Sequence, residues 1–225
     1  MAAVTLVLFD IDGTLLRAGG AGRAAMNDAF EGCFGVADGF QSVSFAGSVD
    51  PKIVREACHT AGVTLDADRL PFFQSLYVSA LRARLDEAGE ACTLLPGVPA
   101  VLDDVEELAR CALLTGNWRI GARVKLERFE LWSRFAFGAY GDDGLVRDEL
   151  VPVARRRAKE HGLEVGRVVV IGDTPADVQC ARAGAAEAVA VKTGWSTPEE
   201  LAAAGPDLLL DDLLSGREAL LRFLA

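Results

Sequence analysis

Val4-Thr5-Leu6-Val7-Leu8-Phe9-Asp10-Ile11-Asp12-Gly13 is a run of strand-like residues that ends in two acids, one residue apart, and a glycine. Its apolar character is continuous rather than alternating, the pattern of a strand covered on both faces in a parallel sheet. The same texture returns at 111–114, 135–140, 168–171, 188–191 and Leu208–Leu210. Helical stripes lie between these runs: Val98, Val101, Leu102, Val105 and Leu108 recur at helical spacing, as do Leu150, Val153, Ala154 and Ala158. Strand–helix alternation of this kind predicts an α/β fold, a doubly wound (Rossmann-like) parallel sheet. Residues 213–224 read as an amphipathic closing helix.

The alternation fails between about residue 17 and residue 91. Residues 21–34, 51–61 and 69–88 are helix-forming and carry no strand-like run. Pro51 suits a first helical position, with Asp50 before it as N-cap. Gly19, Gly20 and Gly22 mark one junction and Leu95-Pro96-Gly97 the other. The simplest expectation is a helical insert of roughly 75 residues between two strands of one sheet. The predicted division is a discontinuous core of residues 1–17 and 93–225, with an all-helical unit of residues 18–92.

Composition narrows the function. The chain has 225 residues, 51% of them hydrophobic, enough for a sizeable core. Its formal charge of −10 and the absence of a basic cluster argue against a nucleic-acid partner. Five cysteines (Cys33, Cys58, Cys92, Cys111 and Cys180) show no CxxC pair, which disfavours a disulfide framework or a zinc centre. His59 and His161 are the only histidines, and His59 reads as a structural residue. No apolar run approaches the roughly 18 residues of a membrane span, and the first residues lack the basic start of a leader. A reduced, cytoplasmic protein with no membrane partner is expected, either a monomer or a small homo-oligomer.

In a parallel α/β sheet, ligands bind beyond the carboxyl ends of the strands. Asp10 and Asp12 leave the first strand there. Thr115-Gly116-Asn117 leaves the 111–114 run, offering a hydroxyl and backbone N–H groups to an anion. Asp173 leaves the 168–171 run, with Thr174-Pro175-Ala176-Asp177 behind it. Each has a plainer explanation: an Asx turn at Asp12-Gly13, Asn117 as a helix cap, and Thr174 with Asp177 as a capping box. Together the strand ends converge on one crevice. Clustered buried carboxylates need a counter-cation, and an oxygen-only set suits Mg2+ better than zinc.

These segments resemble, in order, the first (residues 10–16), second (115–117) and fourth (172–177) motifs of the haloacid dehalogenase superfamily, with a helical cap inserted after the first. The resemblance extends over the whole chain and implies a Mg2+-dependent phosphatase similar to phosphoglycolate phosphatases, acting on a small phosphorylated metabolite. It implies Asp10 as nucleophile and Asp12 as acid and base, with the Asp12 carbonyl also on the metal. Thr115 and the Gly116 N–H, with Asn117, would hold the phosphoryl group, and Asp10, Asp173 and Asp177 would serve the metal. The third motif departs from the family: a lysine is usual, but residues 144–150 contain Arg147 instead. Arg147 is the candidate cation and Lys125 its competitor.

Residues 45–52 resemble the loop that such caps lower over the leaving group, with Ser48, Asp50 and Lys52 as polar candidates. Phe72, Phe73 and Tyr77 are expected in the core of the insert. A phosphomutase, a phosphonatase (for which Lys52 is the insert's only lysine) and a non-catalytic binding protein remain the alternatives.

Overall fold

The computed structural model describes residues 3–225. Its main sheet contains β1 (Val4–Phe9), β4 (Arg110–Leu114), β5 (Gly138–Ala139), β6 (Val165–Gly172), β7 (Glu187–Val191) and β8 (Leu208–Leu210). The order is β5-β4-β1-β6-β7-β8, and every neighbouring pair is parallel. A short ribbon of β2 (Leu16–Ala18) and β3 (Cys92–Leu94) lies apart from it.

Continuous apolarity in the central strands has a direct cause, since successive side chains enter opposite cores. Val7, Phe9, Val169, Ile171, Val189 and Val191 face one side, against α4 (Val98–Leu108), α5 (Arg119–Glu127) and α9 (Arg217–Leu224). Leu6, Leu8, Val168, Val170, Ala188 and Ala190 face the other, against α6 (Leu150–Glu160), α7 (Pro175–Ala183) and α8 (Pro198–Ala203). The doubly wound expectation holds.

Two local expectations need correction. The 135–140 run yields only the two-residue β5, paired with Leu113 and Leu114 at the sheet edge. Phe135, Phe137 and Tyr140 are buried all the same, so their apolar character reflects packing rather than strand pairing. The closing helix starts at Arg217, four residues later than the apolar pattern indicated.

Between the ribbon strands the chain forms α1 (Ala21–Phe34), α2 (Asp50–Ala61) and α3 (Leu70–Ala88). Leu16, Arg17 and Ala18 pair antiparallel with Leu94, Thr93 and Cys92, so the chain leaves and returns side by side. Phe30, Phe40, Phe73 and Tyr77 form the apolar centre of these helices, joined by Trp118 from the start of α5. The Trp118 ring meets Phe73 and Tyr77 edge-on, with centroids 6.0 and 5.7 Å apart. Phe72, expected among them, is 55% exposed on the far side of α3. Asp50 is the first residue of α2, not its N-cap, and its carboxylate caps α5 instead, accepting the Trp118 N–H at 2.7 Å.

Candidate active site

Three strand ends supply the acids and the backbone around them. Asp10 directly follows β1, Thr115 follows β4 and Asp173 follows β6. Carboxylate oxygens of Asp10, Asp173 and Asp177 lie within 4.8 Å of one another, all buried. Arg147 reaches them from a turn before α6; its side chain is 7% exposed. Its guanidinium lies 3.2 Å from Asp10 Oδ1 and also contacts Asp177 Oδ1. The Asp177 carboxylate serves the capping box as well, accepting from the Thr174 N–H and hydroxyl at 3.0 and 2.7 Å. The capping-box reading of Asp177 holds, and the same carboxylate lies beside Asp10 and Asp173.

The second carboxylate of the DxD pair faces elsewhere. Asp12 Oδ2 accepts from Lys125 Nζ at 2.6 Å and from Asn117 Nδ2 at 2.8 Å. Asn117 also donates to Thr115 Oγ1 at 2.8 Å, and its own carbonyl accepts from Lys125 at 2.6 Å. Thus Arg147 and Lys125 are not rivals for one place, because each cation holds a different acid. Asn117 does not cap α5; Trp118 occupies that position.

Burial dominates the electrostatics. It pushes the Asp10 carboxyl up to about 6, with Arg147 opposing. It holds Asp173 well above the usual carboxylate range, reinforced by Asp177 and Asp10. Burial alone would lower the Arg147 guanidinium, but the Asp177 and Asp10 charges reverse that and raise it. The site is short of positive charge despite that arginine. Among the described residues, the buried side-chain polar atoms left without a hydrogen-bond partner are Asp173 Oδ2 and Arg147 Nε. One is an acceptor and one a donor, at the same site. An oxygen-rich acidic cluster with an orphaned carboxylate oxygen fits a hard divalent cation, and an orphaned guanidinium N–H fits an anion.

Sequence reasoning missed residues at a further strand end, beyond β7. Thr193 Oγ1 donates to the Gly13 carbonyl at 2.6 Å, tying that segment to the DxDG turn. A side chain at Gly194 would collide with the Asp173 carboxylate. Thr14 Oγ1 donates to Asp173 Oδ1 at 3.2 Å. The available signal was positional: Thr193 lies two residues beyond the apolar 188–191 run, much as Thr115 lies one beyond 111–114.

A cavity of about 700 Å³ opens over these groups, bounded by Asp10, Asp12, Lys125, Arg147 and, from the insert, Ser48 and Asp50. The insert loop approaches so closely that a Cβ on Gly116 would collide with the Ser48 carbonyl. The Asp50 N–H donates to the Gly116 carbonyl at 2.8 Å, pinning the loop to the phosphate-binding candidate. Ser48 and Asp50 thus meet the cavity as expected. Lys52 points to solvent, its side chain 56% exposed and 3.9 Å from Glu56.

Comparison with known proteins agrees with this architecture. The family described as haloacid dehalogenase-like hydrolase matches residues 7–182, and a HAD-hydrolase-like family matches residues 150–215. A phosphoglycolate phosphatase of Synechococcus elongatus is 30% identical over 156 residues, covering 68% of this chain and 72% of that protein. A plasmid-borne phosphoglycolate phosphatase of Cupriavidus necator is 29% identical over 215 residues, 93% of this chain and 90% of that one. Among solved structures, a predicted phosphoglycolate phosphatase from Haemophilus somnus superposes with a TM-score of 0.70 at 17% identity, covering 98% of this chain and 99% of its own. CbbY from Rhodobacter sphaeroides, in complex with phosphate, gives 0.67 at 20% identity over 95% and 96%. These two likenesses concern the fold. No helix among the described residues is long and apolar enough to cross a membrane.

Proposed function

We propose that this chain, which belongs to the haloacid dehalogenase-like hydrolase family, is a Mg2+-dependent phosphatase that cleaves a small phosphomonoester through a covalent phosphoryl ester on Asp10. The observation that carries the reading is the pair of orphaned buried atoms, Asp173 Oδ2 and Arg147 Nε. The first wants a cation and the second an anion, the two charges that a metal-bound phosphate brings together.

Asp10, Asp173 and Asp177, with the Asp12 carbonyl, would hold the ion, which when bound keeps Asp10 ionised and screens it from the phosphate's negative charge. The remaining work belongs to the chain. Arg147 orients Asp10 and takes a phosphoryl oxygen, while Thr115, the Gly116 N–H and Asn117 take others. The Asp10 carboxylate attacks phosphorus as the bond to the leaving oxygen breaks, and Asp12 donates its proton to that oxygen. Asp12, now a carboxylate, then removes a proton from water; the water oxygen bonds to phosphorus and the Asp10–phosphorus bond breaks. Inorganic phosphate leaves, and both aspartates return to their starting forms.

Residues 18–92 serve as a cap over a core of residues 1–17 and 93–225, a division supported by the pairing of Leu16–Ala18 with Cys92–Leu94. A cavity of about 700 Å³ under such a cap suits a metabolite rather than a phosphoprotein. The two phosphoglycolate phosphatases that resemble this chain support the same substrate class. Lys52, paired with Glu56 outside the cavity, counts against the imine chemistry of a phosphonatase. A cytoplasmic enzyme acting as a monomer or small homo-oligomer completes the proposal.

The test is phosphate release by the purified protein with Mg2+ from a panel of phosphomonoesters that includes phosphoglycolate and 4-nitrophenyl phosphate. Release is expected, with Asp10→Asn folded and at least about 1,000-fold slower. If the wild type releases none, or if Asp10→Asn retains its rate, the reading is wrong.

A further inference from the structure

Lys125 is an anomaly of burial. It lies on the stripe of α5 that carries Trp118 and Ala122, both buried in apolar clusters, yet it is a lysine whose side chain is only 5% exposed. A buried ammonium is retained only where acceptors meet it. Helical side chains lean toward the N-terminus, so this one runs back along α5 to the Asn117 segment at its start. There it finds Asp12 Oδ2 and Asn117 Oδ1, each at 2.6 Å.

Asn117 completes a closed arrangement. Its amide carbonyl accepts from Lys125 while its N–H groups reach the same Asp12 oxygen and Thr115 Oγ1, both at 2.8 Å. Both donors to the Asp12 carboxylate therefore end on Oδ2. Among the described residues no side-chain donor reaches Oδ1, and Asp12 lines the cavity. The other buried cation is committed to Asp10 and Asp177.

Resting on the phosphatase reading above, we propose that Lys125 is a positioning residue for proton transfer: with Asn117 it clamps Asp12 by Oδ2, so that Oδ1 is the oxygen that carries the proton to the leaving group. Arg147 serves the phosphoryl group and Lys125 serves the proton. In the first half-reaction the Asp10–phosphorus bond forms, the bond from phosphorus to the leaving oxygen breaks, and the proton passes from Asp12 Oδ1 to that oxygen.

Leaving groups separate this role from a structural one. An alkyl phosphate needs the proton, whereas 4-nitrophenyl phosphate expels a stable phenolate without it. The value of kcat/KM covers the steps up to loss of the leaving group, so it isolates the transfer from later hydrolysis. Lys125→Met is expected to lower kcat/KM at least about 100-fold for phosphoglycolate or another alkyl ester that the wild type cleaves. For 4-nitrophenyl phosphate the fall should be below about five-fold. Lys125→Arg, which keeps the charge without the compact geometry, should show the same selectivity in milder form, and it stands in if the methionine variant does not fold. Equal losses on both esters, or none, overturn the inference and leave the phosphatase reading standing; they would mark Lys125 as a phosphate ligand, a structural residue or a bystander. If the wild type cleaves neither ester, the phosphatase reading fails, and this inference with it.

Discussion

Replacing Asp50 by Asn should make the protein more stable, and increasingly so as pH rises. The Asp50 carboxylate, at the start of α2, is buried with the Trp118 N–H as its hydrogen-bond donor, and burial raises it from 3.8 to about 7, with Lys125 opposing. A carboxyl held high in the folded state keeps its proton after the unfolded chain has released it. The stability lent by that proton is full below about pH 4 and is lost as pH climbs toward 7. At ~1.4 kcal/mol for each pH unit, the loss across that window is at most about 4 kcal/mol. Asparagine keeps an oxygen for the Trp118 N–H and has no charge to desolvate. Urea unfolding of both chains in chelator from pH 4 to pH 8 measures the difference; Asp10 and Asp173 titrate in both and cancel. The gap should widen in favour of Asp50→Asn by ~2–4 kcal/mol between the ends of the range, with an unchanged urea slope. Stability curves that run parallel over the whole range would refute the assignment of Asp50 as a buried, high-pKa carboxyl.

Two further outcomes follow from the geometry. Gly194→Ala puts a methyl group into the space of the Asp173 carboxylate; calorimetry should show Mg2+ affinity reduced roughly 10- to 100-fold. Unchanged affinity would remove Asp173 from the proposed ligand set. Leu102→Ala empties a fully buried position between α4 and the sheet, and urea unfolding should register a loss of about 2–5 kcal/mol.

The central strands were legible because burial on two faces leaves a strong mark, an unbroken apolar run such as 168–171. The ribbon strands were not: three residues such as Leu16-Arg17-Ala18 are too few to establish a period, and their pairing depends on where the chain returns. Phe135 and Phe137 misled for the opposite reason, since their apolarity reports packing at an edge where only Gly138 and Ala139 pair. Asp10, Asp12 and Asp173 stood out as acids at the ends of apolar strands. Arg147 and Lys125 looked like competitors because sequence distance does not reveal that they approach from opposite sides, one from the turn before α6 and one along α5. Thr193 and Gly194 act through a hydroxyl on a carbonyl and through a missing side chain, and neither leaves a compositional trace.

The place of β1 in the sheet bears on how the protein is made. Although β1 precedes both of its partners along the chain, it lies between them, hydrogen-bonded to Arg110–Leu114 on one flank and Val165–Gly172 on the other. At ~5–20 residues per second, its second neighbour is synthesised roughly 8–30 s after it. Until then this apolar strand has an unmet edge, so a chaperone that shields residues 4–9 should raise the yield of native protein more than one acting on the later-made strands.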